Sequence, residues 1–60
     1  MNTTAQDWID VKKGDQVVFF TTPYTVKKIV KDGMYMRVVF RENPDTTYWY
    51  AQYSTATVVV

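Results

Sequence analysis

Apolar and polar positions alternate most clearly between Tyr24 and Phe40, where YTVKKIV and MYMRVVF flank the tripeptide KDG. Both runs are rich in β-branched and aromatic residues. Asp32-Gly33 suits a two-residue type I′ turn, which needs positive φ at both central positions, so the segment predicts a β-hairpin. With Lys31 opposite Met34, pairing runs Val30 with Tyr35, Ile29 with Met36, Lys28 with Arg37, Lys27 with Val38 and Val26 with Val39. Met34, Met36, Val38 and Phe40 then share an inward face with Ile29. Unbroken alternation would also turn Lys27 into that face and set Lys28 against Arg37, a like-charge pair that destabilises a ladder. A β-bulge at Lys27-Lys28 removes both conflicts, because it turns Val26 inward and leaves both lysines in water.

The rest of the chain supplies shorter elements. Residues 1–6 are small and polar, and are expected to fray. Trp8 and Ile9 are expected to fold back and close one end of the core. Lys12-Lys13-Gly14-Asp15 reads as a turn that opens a first strand, Gln16 to Phe20, with Val17 and Phe19 inward; Val18 and Phe20 then need cover from the N-terminal segment or a partner. Thr21-Thr22-Pro23 is a break, since proline cannot donate to a ladder. Residues 41–46, with Pro44, read as an exposed loop. Thr47 to Ala51 is the fourth strand, placed with Trp49 and Ala51 inward and Tyr48 and Tyr50 outward, the opposite assignment being nearly as tenable. Gln52 to Ala56 suits one 3₁₀ turn, and Thr57 to Val60 a last strand whose edge a second copy could pair with.

This is one domain, residues 1–60, near the lower size limit for a self-sufficient core. Neither cysteine nor histidine is present, which removes disulfides and a zinc-finger type of metal site. Ten aromatics, three Phe, five Tyr and two Trp, can fill a small core and can equally serve as recognition anchors. Seven basic against six acidic residues is too balanced for a dedicated phosphate-backbone binder. The opening MNTTAQDW has neither a basic n-region nor an apolar h-region, so a cytoplasmic protein is expected.

Five short strands with a single-turn break before the last predict an all-β, partly open barrel. The carriers Lys13-Gly14-Asp15-Gln16-Val17, Tyr24-Thr25-Val26-Lys27-Lys28-Ile29, the Asp32-Gly33 turn and Tyr53 to Val60 together resemble an SH3-like barrel. The pattern is similar to small bacterial and phage families such as the YodC-like proteins, and more loosely to KOW and Tudor modules. Tyr48-Trp49 stands where peptide-binding SH3 domains have paired tryptophans, so recognition of proline motifs is not implied.

Chemistry narrows the function classes further. The only serine is Ser54, in a turn, and two glycines cannot build a phosphate-cradling loop, so no enzyme, cofactor or metal is expected. Two surfaces remain. Tyr35, Arg37, Tyr48 and Tyr50 on one outward sheet face would suit a protein partner, as anchors of this kind dominate interface affinity. Such a compact chain would also suit a phage or mobile-element protein that modulates a host protein. Alternatively Lys12, Lys13, Lys27, Lys28 and Lys31, with Tyr35 as a stacking platform, would bind single-stranded nucleic acid.

Overall fold

The computed structural model describes residues 1–60. Its elements are β1 (Thr3–Asp7), a 3₁₀ turn (Trp8–Asp10), β2 (Gln16–Phe19), β3 (Thr22–Asp32), β4 (Tyr35–Phe40), β5 (Asn43–Ala51) and β6 (Thr55–Val59). All pairings are antiparallel, in the order β1-β6-β2-β3-β4-β5. The chain is thus all-β with six strands rather than five.

The central hairpin forms, and so does its bulge. Val26 pairs with Phe40 and Lys28 with Val39, leaving Lys27 as the extra residue. Val26 is fully buried while Lys27 and Lys28 are exposed. The register near the turn differs from the expected one: Asp32 faces Tyr35, Lys31 faces Met36 and Val30 faces Arg37. The turn residues are therefore Gly33-Met34, with φ +60° at Gly33 and no positive φ at Met34, the sign pattern of a type II′ turn. One positive φ on glycine costs less than two shared with aspartate. Because each partner moves by two positions, the faces survive. Only Met34 leaves the core, 80% exposed at the tip. Asp32, now in the ladder, reaches Arg37 at 3.2 Å.

Four further expectations are corrected. Residues 3–7 do not fray: Thr3 to Asp7 pair with Val59 to Thr55, and Trp8 and Ile9 donate to the carbonyls of Ser54 and Gln52 at 3.0 and 2.9 Å. β6 is consequently flanked by β1 and β2, and the sheet's ends are β1 and β5, so the C-terminal strand offers no edge to a second copy. The 3₁₀ turn lies at Trp8–Asp10, closed by Val11 N–H to the Trp8 carbonyl at 3.1 Å, whereas Gln52 to Ser54 form a simple turn. Finally, Arg41 and Glu42 alone connect β4 to β5, which already begins at Asn43. Pro44 fits there because β5 is an edge strand and its missing N–H costs no ladder bond.

The buried core comprises Trp8, Val11, Val17, Val26, Met36, Val38, Phe40, Ala56 and Val58. Trp8 caps it as expected, stacked on Tyr50 with ring centroids 3.9 Å apart. One buried polar side chain serves the hairpin: Gln52 Nε2 donates to the Gly33 carbonyl at 2.7 Å, and the Gln52 N–H donates to the Met34 carbonyl at 3.1 Å. Removing the amide leaves a part-buried carbonyl without its partner. Gln52→Ala is expected to cost about 1–3 kcal/mol in urea unfolding; a loss under about 0.3 kcal/mol would show that the side chain does not hold the turn.

Candidate functional site

The expected Tyr35, Arg37, Tyr48, Tyr50 face does not exist as one surface. In β5, Tyr48 and Tyr50 stand opposite Val38 and Met36, both buried, so the tyrosines lie on the core side of the sheet. Trp49 stands opposite Arg37 and is 54% exposed on the other side. The assignment of Trp49 and Ala51 as inward is thus reversed. Tyrosine suits the mouth of a small core, since its ring can pack while its hydroxyl stays wet. Trp49 instead lies beneath the Arg37 guanidinium, 5.7 Å from its ring centroid, and meets Tyr35 edge-on at 6.3 Å. Arg37 and Tyr35 are therefore committed to a local cluster with Asp32 and Trp49 on the outer face.

On the core side, Tyr48 and Tyr50 join Phe19, Phe20, Tyr24 and Phe40 around a cleft of about 260 Å³, with Thr22 as its seventh lining residue. The rings are ordered by their own contacts. Phe19 meets Phe40 and Tyr24 edge-on at 5.6 Å each and stacks on Tyr50 at 6.1 Å; Tyr48 tilts against Phe40 at 5.6 Å. Pairs of this kind contribute about 0.5–1.5 kcal/mol each beyond area burial, so the walls are preformed. Asn43 Nδ2 donates to Tyr48 Oη at 2.9 Å and Thr46 Oγ1 donates to Asn43 Oδ1 at 3.3 Å, which orients the Tyr48 hydroxyl at the end of β5.

Phe20, expected at the end of the first strand and in need of cover, instead sits in a turn that the sequence did not predict. Phe19 pairs with Thr22, so Phe20-Thr21 is a two-residue turn, and Phe20 takes φ +59°. Its side chain is fully exposed beside the cleft. A bulky L-residue in this region costs about 1–2 kcal/mol, which glycine would avoid. The signal in the sequence was the run Phe19-Phe20-Thr21-Thr22, in which apolar content masks a tight turn.

The lysines do not form one stripe. Lys13 and Lys27 line a depression with Arg41 and Pro44, while Lys28 and Arg37 flank a smaller one with Val30, Val39 and Thr47; Lys12 and Lys31 line neither. No group of three Asp or Glu side chains gathers to hold a metal ion. No helix is long and apolar enough to cross a membrane.

Comparison with known proteins returns no matching family model, no matching curated protein and no matching solved structure.

Two ionisable groups are perturbed. Burial pushes the Tyr50 phenol above its ordinary value, and the neighbouring Tyr48 adds to the shift. The Thr25 backbone N–H, donating to Glu42 Oε1 at 2.7 Å, holds that carboxyl below the usual range. For Tyr50 the folded state disfavours the phenolate, so its stabilising contribution is complete below about pH 10 and is lost as pH rises through the folded value. Ultraviolet titration of wild type against Tyr50→Phe should assign the highest-titrating phenol to Tyr50. A wild-type curve in which all five phenols titrate together would contradict the buried placement of that ring.

Proposed function

We propose that this chain is a non-enzymatic binding module of SH3-like type that recognises a protein partner by receiving an apolar side chain in the Phe19–Tyr50 cleft. Support for the fold type is the strand order β6-β2-β3-β4-β5, with β3 shared between two groups of strands and bent at Lys27. The observation that carries the binding reading is Phe20. A fully exposed phenylalanine held at positive φ contributes nothing to the core and strains its turn, and backbone strain of this kind collects at ligand-contacting positions.

The cleft has the composition of an anchor pocket. Six of its seven lining residues are aromatic, with Tyr24, Tyr48 and Tyr50 contributing hydroxyl groups as well as ring surface. Such pockets take a hot-spot side chain from the partner and exclude water around it. Of the residues expected from sequence to contact the partner, Tyr48 and Tyr50 stay in this site and Tyr35 and Arg37 fall outside it.

Selection of a random peptide library on the immobilised protein tests the reading. Binders should carry a large apolar or aromatic anchor, and Phe20→Gly should weaken them by about tenfold or more, within the range of a hot-spot residue. The same variant relieves the turn while adding chain entropy to the unfolded state, so its melting temperature should stay within a few degrees. Peptides that bind Phe20→Gly normally but lose affinity to Tyr35→Ala or Trp49→Ala would move the site to the outer face.

A further inference from the structure

Three cations that lie far apart in sequence meet in one concavity. Lys13 comes from the turn before β2, Lys27 is the bulged residue of β3, and Arg41 opens the β4–β5 turn; with Pro44 they wall an open depression. The backbone holds all three in place. Gly14 N–H donates to the Val26 carbonyl at 2.9 Å and Val26 N–H to the Asp15 carbonyl at 2.8 Å, clamping the Lys13 turn against the residue before Lys27. Arg41 N–H donates to the Thr25 carbonyl at 2.9 Å, bringing the third cation to the same strand.

No carboxylate forms a salt bridge with this group. The single salt bridge of the protein joins Arg37 to Asp32. Of the acids nearest in sequence, Asp15 accepts the Lys12 backbone N–H at 2.9 Å and Glu42 accepts that of Thr25, while Asp45 is exposed and makes no ion pair. Both bonded carboxylates are held by backbone amides, and although Arg41 also attracts the exposed Glu42 carboxylate, the two form no ion pair. Three like charges without salt-bridge partners line one hollow, so an anion that enters it is attracted by all three.

We propose that this depression binds one phosphate monoester dianion. Three wall charges match a group that carries about two negative charges near neutral pH. Arg41 offers a planar fork for two phosphate oxygens, and Lys13 and Lys27 add point charges from the other walls. The chain's net charge of only +1 disfavours a long run of phosphodiesters and fits a single group. The depression is distinct from the aromatic cleft: Phe40 lines the cleft and the next residue, Arg41, lines the depression.

Amide chemical shifts of the ¹⁵N-labelled protein, followed at constant ionic strength while inorganic phosphate replaces chloride at pH 7.5, test the proposal. Shifts should saturate and centre on Lys13, Gly14, Lys27 and Arg41. At pH 5, where phosphate is a monoanion and lysine and arginine remain charged, binding should weaken by about threefold or more. The double variant Lys27→Gln, Arg41→Gln should weaken it about tenfold with an unchanged melting temperature, since neither side chain makes a hydrogen bond or ion pair in the free protein. Two further arms define the source. Tighter binding of phosphoserine than of inorganic phosphate supports a phosphorylated residue as ligand, and equal binding supports the phosphate group alone. Non-saturating shifts, an unaffected double variant, or an eight-nucleotide single strand that binds more tightly than either with a steep salt dependence would each overturn the site.

Discussion

The bend of β3 at Lys27 is the constraint on which the other features depend. Eleven residues form one strand, yet its first part, Thr22 to Thr25, pairs with β2 and its second part, from Val26 onward, pairs with β4. A flat strand would hold all six strands in a single layer with one face wet. The bulge inserts Lys27, increases the local twist and turns the two groups of strands toward a common interior. Val26 and Phe40, paired at the bend, are accordingly among the most buried side chains. The bend also places Lys27 opposite the Lys13 turn and Arg41, so the same extra residue shapes the core and the basic hollow.

The two ends of the sheet are joined by side chains rather than by a ladder. β1 and β5 are not paired, but Trp8, just after β1, stacks on Tyr50 of β5 at an interplanar angle of 4°. That contact places the β5 tyrosines toward the interior and leaves Trp49 outside. It also continues into Phe19 and Phe40, so that the rings closing this side of the core are the rings lining the cleft. Core packing and the cleft therefore draw on one set of aromatics. Substitution of Phe19, Phe40 or Tyr50 would disturb the core and the cleft together, whereas Phe20 lines the cleft while lying outside the core.

Much of this was legible in the sequence where burial imposed a pattern. The hairpin, the bulge and the inward set Val26, Met36, Val38 and Phe40 follow from alternation and from the cost of opposing two cations. What the sequence left hidden was structure held by backbone bonds. Thr3 to Asp7 carry no apolar signal, and their strand exists because β6 offers a free row of donors and acceptors. Asn43 to Thr46 looked like a loop because polar residues and a proline are equally at home on a twisted edge. At β5 the pattern Tyr-Trp-Tyr fits either face by hydrophobicity, and the choice fell to shape: Trp8 needed a flat ring to stack on. Sequence spacing also could not show that Lys13, Lys27 and Arg41 converge while Lys12 and Lys31 do not.

Inter-strand nuclear Overhauser contacts across β3 and β4 test the bend most directly. Backbone contacts should link Val26 with Phe40 and Lys28 with Val39, with Lys27 lacking a cross-strand partner. An uninterrupted ladder from Thr25 to Asp32, with Lys27 directly opposite a β4 residue, would contradict the account.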